Sequence, residues 1–212
     1  DARFRYYFGE TIGIGNNNIA AFWGHQAEKG SFATSYIRGN GVSITRGADV
    51  ANILGENFSN TFNTFEGTFI AECDRGNDGT EGAGIGAMRR SASQYHNMIQ
   101  FGEFYDNAGM VGRIFVGGTG TKSVDTSNHV TGQGVYNRYG FSYSATTVAG
   151  TLNGVLQGTS GTQTGALPTE LDRFVFGGYE DDRSTNSLDG HIKFLHYYPK
   201  RLTDAQLQLL TS

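Results

Sequence analysis

Alternating apolar and polar positions dominate the chain from about residue 66 onward. Residues 135–144 alternate for nearly their whole length, with Tyr139, Phe141 and Tyr143 on one face of a strand. A period of two is the signature of a half-buried β-strand. Similar shorter runs predict strands at 67–73, 82–88, 97–101, 111–116, 147–152, 155–157, 173–178 and 188–198. Many short strands joined by turns predict a sandwich or a barrel.

Two local details refine the strand prediction. Asn153-Gly154 separates two strands, and Asn-Gly is a strong signal for a tight hairpin. In the last predicted strand, Ile192 and Leu195 are an odd interval apart, so a regular strand would point them to opposite faces. Both are buried only if a bulge lies between them or if both faces are covered.

The end of the chain carries the helix signals. Thr203 and Gln206 form a capping-box pattern, and Leu202 and Leu207 occupy the two positions of a hydrophobic staple. Asp204 places a negative charge in the first turn, where the helix dipole favours it. The pattern therefore predicts an all-β domain with one short C-terminal helix.

Composition agrees with strands and narrows the partners. The 212 residues include 32 Gly, 15 Phe and 11 Tyr but only 2 Pro, which favours strands joined by tight loops. The net charge is −4 without a Lys/Arg cluster, which argues against nucleic acid. No apolar run approaches the ~20 residues of a membrane span, so no membrane insertion is expected. Cys73 is the single cysteine, and we expect a buried structural thiol.

The C-terminal segment resembles a known kind of protein. Its motif runs from Gly177-Gly178 through Leu188-Asp189-Gly190 and Tyr197-Tyr198-Pro199 to Leu210-Thr211. This run is similar to the closing segment of laminin-G-like, concanavalin A-like jelly rolls, especially those of bacteriophage tail fibres and tailspikes. The resemblance implies a concanavalin A-like/laminin-G-like jelly-roll sandwich over residues 41–212.

The beginning of the chain resembles a different part of the same phage proteins. Residues 22–37 are similar to a "WGAQLE-G-FATSYIPT" segment, although His25, Ala27 and Arg38 depart from it. That segment closes a carbohydrate-binding-module-like sandwich and leads into the next domain. Two or three strands cannot bury a core of their own. We therefore expect residues 1–40 to be the end of an upstream domain plus a linker.

Paired catalytic carboxylates are not evident. Glycoside hydrolysis needs two carboxyl groups across a cleft, and enzymes of the concanavalin-like fold commonly supply them as Glu-x-Asp-x-x-Glu on one strand. The sequence contains no such run, and Glu180-Asp181-Asp182 falls in a polar loop. The chain is accordingly expected to be non-catalytic.

Metal binding is a second open question. Calcium prefers six to eight oxygen ligands, and the acidic stretch 74–81 supplies them from Asp74, Asn77, Asp78 and Glu81 without the EF-hand spacing. A solvated turn explains the same residues. The five histidines show no ligand spacing that would suggest zinc.

Sugar recognition needs flat aromatic faces together with carboxylate, amide and guanidinium groups. The candidate glycan-binding residues are Tyr179, Asp181, Asp182, Arg183, Asn186, Tyr105, Asn107 and Asp78. Trp23, Tyr95 and Tyr136 are further candidate aromatic platforms. The alternative is that the tyrosines cap sheet edges with their hydroxyl groups in water.

The resemblance implies an extracellular role in the virion tail. The principal hypothesis is a module that binds host cell-surface polysaccharide or lipopolysaccharide, with copies of the same chain forming a homotrimer. A purely structural or trimer-assembly module is the first alternative. A glycan-cleaving depolymerase is the second.

Overall fold

The computed structural model describes residues 51–75, 84–90, 97–105, 108–126, 132–161, 166–178, 188 and 190–212. Within them the strands are β1 (Asn52–Leu54), β2 (Glu66–Arg75), β3 (Gly86–Arg89), β4 (Asn97–Tyr105), β5 (Ala108–Val116), β6 (Thr119–Thr126), β7 (Gly132–Ser144), β8 (Val148–Leu152), β9 (Val155–Leu156), β10 (Gly158–Gly161), β11 (Arg173–Phe176) and β12 (Ile192–Tyr198). The helices are α1 (Gly55–Thr61) and α2 (Asp204–Thr211). No helix in these ranges is long and apolar enough to cross a membrane.

The strands form two antiparallel sheets. One has seven strands in the order β1-β11-β3-β4-β5-β6-β10, and the other has five in the order β12-β2-β7-β8-β9. The last two strands of the chain return to pair with early ones, β11 with β1 and β3, and β12 with β2. The all-β sandwich predicted from the alternating pattern is confirmed.

Strand β7 shows why the alternation produces this arrangement. Tyr139, Phe141 and Tyr143 are buried between the sheets, as their period of two predicts. In the register of β7 with β2, Phe141 lies opposite Phe69 and Tyr139 opposite Ala71. Pairing aromatic residues across strands contributes packing energy beyond simple burial.

The core between the sheets is largely aromatic. The Phe69 ring lies 5.4 Å from the Phe101 ring and 5.5 Å from the Phe174 ring, measured between centroids. Gly112 of β5 makes room for Phe141, because an added Cβ would lie 2.3 Å from the Phe141 ring. Both sheets therefore contribute to one interior.

Strand β12 contains a bulge, which is one of the two arrangements that the sequence allows. Its register with β2 shifts between Ile192 and Phe194, and both Ile192 and Leu195 pack against the core. A bulge adds one residue to a strand and reverses the facing of the residues after it. The odd interval between Ile192 and Leu195 is thereby resolved as predicted.

Turns and the C-terminal helix follow the sequence closely. Asn153 and Gly154 both have positive φ, 48° and 77°, as a two-residue hairpin turn requires. At the start of α2, the Thr203 side chain accepts from the Gln206 N–H, and the Gln206 side chain accepts from the Thr203 N–H. The other end of α2 is fixed to the five-stranded sheet, because Thr211 Oγ1 lies 2.9 Å from Thr151 Oγ1.

Two features differ from the prediction. The sequence pattern predicts helix only at the C-terminus, whereas α1 forms a second short helix that begins without a side-chain cap. Phe58 of α1 is buried and stacks on Phe62, which itself lies 5.0 Å from Phe174 between centroids, so tertiary packing stabilises this turn. Asp74 is predicted to begin a hairpin loop, but β2 continues to Arg75.

The outer face of the seven-stranded sheet is also shielded from solvent. Ala87, Met98 and Phe115 form a small apolar cluster separate from the main core. Gln100 lies in the same sheet with 1% exposure, opposite Ala87 and Arg113 in the register. Neither amide atom of the Gln100 side chain has a hydrogen-bond partner among the described residues. These four side chains are therefore buried.

Candidate functional site

Most side chains that the sequence suggests for ligand binding lie outside the described residues. These are Asp78, Asn107, Tyr179, Asp181, Asp182, Arg183 and Asn186 among the glycan candidates, Asn77 and Glu81 of the calcium loop, and the possible platforms Trp23 and Tyr95. Tyr105 ends β4, where the backbone alone is described. Their assignments stay predictions.

Asp74 is the member of the calcium candidate that the structure describes. Its carboxylate is 1% exposed and accepts hydrogen bonds from the backbone N–H groups of Gly134, at 2.8 Å, and His191, at 2.5 Å. Burial alone would raise the Asp74 pKa. The two N–H groups and the His191 ring outweigh burial and hold the pKa below its ordinary value. Asp74 therefore joins β2 to the neighbouring strands through both carboxylate oxygens.

Tyr136 and Glu72 lie in a charged cluster on the five-stranded sheet. The Lys193 ammonium lies 3.6 Å from the centroid of the Tyr136 ring, so a cation covers one face of this candidate platform. Lys193 also donates to Glu72 Oε1 at 2.6 Å, and Arg138 donates to Glu72 Oε2 at 2.9 Å. These two bonds lower the Glu72 pKa. A carboxylate held ionised by two cations is a poor general acid.

A cleft of about 480 Å³ lies beside α1, and it is the site that the structure itself indicates. It is lined by residues 58–65 together with Leu171 and Pro199, and we call it the Phe65 cleft. Its volume is in the range of small-ligand pockets. The lining comes from segments more than 100 residues apart in the chain.

Asn63 holds these distant segments together. Its side-chain Nδ2 donates to the Pro199 carbonyl oxygen at 3.0 Å, and its Oδ1 accepts from the Phe65 N–H at 2.9 Å. Its backbone N–H donates to the Tyr197 hydroxyl oxygen at 2.8 Å. The turn from Asn63 to Phe65 is a local side-chain-to-backbone motif typical of Asn. The wall of the cleft is therefore fixed before any ligand arrives.

Two buried tyrosines also form hydrogen bonds with Asn63. The hydroxyl groups of Tyr143 and Tyr197 both donate to the Asn63 carbonyl oxygen, at 2.5 Å and 3.1 Å, and lie 3.2 Å from each other. Burial raises the pKa of both phenols. The hydroxyl groups consequently remain protonated donors at every physiological pH. Gly67 makes this approach possible, because an added Cβ would lie 2.5 Å from the Tyr143 hydroxyl oxygen.

The floor of the cleft is a stack of rings. Phe62 lies 5.0 Å from Phe174 with nearly parallel ring planes, and 4.7 Å from Tyr197. Phe58 stacks on the other side of Phe62. Stacked rings at these distances pack favourably in a core. The floor is therefore continuous with the hydrophobic interior and is rigid.

The rim of the cleft is different in character. Phe65 is 79% exposed although its backbone N–H is fixed by Asn63. Asn60, Thr61 and Thr64 also lie on the cleft, and no hydrogen bond within the described residues engages their side chains. None of the described lining residues carries an ionisable side chain. The rim thus presents an exposed aromatic ring beside amide and hydroxyl groups that make no hydrogen bond within the described residues.

The sequence contains a signal for this cleft that does not follow the alternation of apolar and polar positions. Phe58, Phe62 and Phe65 are spaced by four and three residues, with Asn, Ser and Thr between them. Helix α1 ends at Thr61, so this signal is a local cluster of rings in the sequence and not one face of a helix. The first two rings are buried and the third is left outside.

The described residues offer little for covalent or metal chemistry. No group of three or more His, Cys, Asp or Glu side chains within them could hold a metal ion. His196 of β12 and His191, which precedes that strand, are both exposed. Cys73 is buried as expected, and burial raises the pKa of its thiol. The Phe65 cleft is therefore suited to non-covalent binding.

Comparison with known proteins bears on the fold. No family model matches the chain, and no curated protein matches it. Among solved structures, the CBM40 module of a Ruminococcus gnavus IT-sialidase bound to α2,3 sialyllactose matches with a TM-score of 0.61 at 14% identity, over 81% of this chain and 96% of that chain. At such low identity the likeness shows the fold alone.

Two further structures are similar to the chain. A native heptameric SAP-like pentraxin from Limulus polyphemus matches with a TM-score of 0.52 at 14% identity, over 77% of this chain and 82% of that chain. The K499G mutant of the NanB sialidase from Streptococcus pneumoniae matches with a TM-score of 0.57 at 13% identity, over 74% of this chain and 26% of that chain. The chain is a concanavalin A-like jelly-roll sandwich with a short C-terminal helix, as the C-terminal motif implies.

Proposed function

We propose that the chain is a non-catalytic glycan-binding module of a bacteriophage tail fibre or tailspike. The observation that carries this proposal is a rigid, uncharged, aromatic-rimmed cleft on a jelly-roll sandwich. The likeness to a carbohydrate-binding module supports it, and the phage-like motifs at 22–37 and 177–211 support the setting. The glycan would be a host cell-surface polysaccharide or lipopolysaccharide, and the location the extracellular tail of the virion.

The first test is binding of the full chain to an array of bacterial surface glycans and to host cells. Retention of at least one polysaccharide or lipopolysaccharide is the expected result. Boiled protein and a bare support serve as controls. An empty array combined with no attachment to cells would contradict the proposal. Repeating the assay with EGTA tests the predicted calcium loop, since loss of binding that added calcium restores would support it.

The depolymerase alternative has its own measurement. Release of reducing ends from the retained polysaccharide should stay at the level of a protein-free control. Glu72 is paired with two cations, and Glu66 accepts the Arg201 N–H at 3.0 Å, so neither of these carboxylates is an uncommitted catalytic acid. Steady release of reducing ends would contradict the non-catalytic assignment.

An assembly role is the second candidate function, and exposed aliphatic side chains favour it. Val155 and Leu156 of β9 and Leu209 and Leu210 of α2 are all exposed. Apolar groups left in water are a common feature of surfaces that join protein chains. Light scattering on the purified chain distinguishes a homotrimer, which the tail-fibre resemblance implies, from a monomer.

A further inference from the structure

We infer that the Phe65 cleft binds an uncharged pyranose unit, with one face of the sugar against the Phe65 ring. The inference rests on the proposed glycan-binding function and names the sugar class and the site. Such a ligand differs in charge from the sialyllactose that the similar CBM40 module binds.

The described lining of the cleft disfavours an acidic sugar. A carboxylate that leaves water needs a cation or several donors to replace its hydration. The described lining of the cleft contains no Lys, Arg or His. The guanidinium of nearby Arg201 is paired with Asp204, at 3.0 Å between Nη2 and Oδ1. Glu66 and Lys200 directly follow lining residues and carry opposite charges. A carboxylated sugar would therefore find no cation within the described lining of the cleft to compensate its charge.

The rim offers the two kinds of contact that a neutral sugar uses. A pyranose has apolar C–H faces and a belt of hydroxyl groups. An exposed Phe ring covers apolar surface, and the Asn60 amide can both donate and accept hydrogen bonds. The Thr61 and Thr64 hydroxyl groups have the same dual capacity. These side chains make no hydrogen bonds within the described residues that a ligand would have to break.

The backbone of the cleft is ordered before a ligand binds, which lowers the free-energy cost of binding. The Asn63 bonds to Phe65, Pro199 and Tyr197 fix the backbone on both sides of the cleft. Ordering a loop on binding costs free energy, and a loop already ordered avoids that cost. The Phe65 side chain has two rotatable angles, so its own immobilisation is inexpensive.

Saturation-transfer NMR on the full chain tests the inference. The probes are the methyl glycosides of glucose, galactose and mannose, with α2,3 sialyllactose as the acidic comparison. At least one neutral glycoside should bind with a millimolar Kd, and sialyllactose should not compete for that site. Phe65→Ala should weaken binding at least about fivefold, and Phe65→Tyr should retain it.

Val135→Ala is the matched control, because Val135 is 39% exposed on β7, does not line the cleft and should leave binding unchanged. Both Phe65 and Val135 are exposed, so neither substitution threatens folding. Binding of no neutral glycoside, or binding that Phe65→Ala leaves intact, would overturn the inference. If the array still detects a retained glycan that is unaffected by Phe65→Ala, this site assignment fails while the proposed function stands.

Discussion

Gly112 shows how a single missing side chain decides the packing of the two sheets. An alanine Cβ at this position would lie 2.3 to 2.6 Å from three atoms of the Phe141 ring. Overpacking of this kind typically costs about 1–3 kcal/mol, because the facing ring or the strand must shift. We expect Gly112→Ala to lower the free energy of unfolding by that amount in urea denaturation.

Gly158 provides the comparison for Gly112. It also lies in a strand of the seven-stranded sheet, β10, but an added Cβ there meets no atom within 4 Å. Gly158→Ala should change stability by less than about 0.5 kcal/mol, as ordinary surface substitutions do. Equal effects of the two substitutions would show that the Phe141 contact does not determine the cost.

Gln100 is a buried side chain whose removal should stabilise the protein. Its amide is 1% exposed and both polar atoms lack a partner among the described residues, while Met98, Ala87 and Phe115 nearby are apolar. A buried polar group without hydrogen bonds costs about 1–3 kcal/mol. Gln100→Met keeps a similar volume and should raise the melting temperature in calorimetry. A lower melting temperature would mean that the amide contributes a favourable contact.

Asp74 links stability to pH. Its folded-state pKa is below the ordinary value, so its stabilising effect is complete above the unfolded pKa, about 4, and is lost as pH falls through the folded pKa. Asp74→Asn should lower the free energy of unfolding by about 1–3 kcal/mol at pH 7. The difference from the unmodified chain should shrink below about pH 4.

The measurement for Asp74 is a series of denaturation curves from pH 2 to pH 8. Glu170→Gln is the control, since Glu170 forms an exposed ion pair with Arg90. Exposed pairs contribute little, so this variant should follow the unmodified chain across the series. A constant difference for Asp74→Asn at all pH values would contradict the role of the ionised carboxylate.

At the scale of elements, α2 depends on its first residues. The reciprocal bonds between Thr203 and Gln206 satisfy backbone donors that the helix cannot satisfy itself. Thr203→Ala should cost about 1 kcal/mol of stability, measured by thermal unfolding followed by circular dichroism. Leu209→Ala, at an exposed position of the same helix, should cost clearly less. The reverse order would contradict the importance of the cap.

The two helices also show which elements can be predicted from sequence. Helix α2 has a local start signal in Thr203 and Gln206, so a short window of sequence is enough to find it. Helix α1 begins at Gly55 without a side-chain cap, and packing of Phe62 on Phe174 and Tyr197 stabilises it instead. Those contacts exist only once the sandwich has formed. The bulge in β12 lies between these cases, because the odd spacing of Ile192 and Leu195 allows either a bulge or the burial of both faces, and only the structure shows the bulge.

At the scale of the molecule, the sequence predicts the fold better than it predicts the site. The alternation of apolar and polar residues shows which face of each strand is buried. The motif at the end of the chain indicates the jelly roll. The Phe65 cleft could not be found in the same way, since it needs Pro199 and Leu171 beside residues 58–65. No local pattern shows that Asn63 bonds to a carbonyl group 136 positions away. The acidic loops are easier to recognise in the sequence, because their candidate ligand groups are neighbours along the chain.

The hydrogen bonds of Asn63 join segments that are far apart in the chain, so the cleft exists only when the domain is folded. Opening the sheet pair between β2 and β12 would separate Phe65 from Pro199 and erase the cavity between them. A compound that occupies the cleft would thus favour the closed sandwich and shift thermal unfolding upward with concentration. A melting-temperature screen of soluble saccharides would then identify occupants without a label, an activity assay or an identified host bacterium.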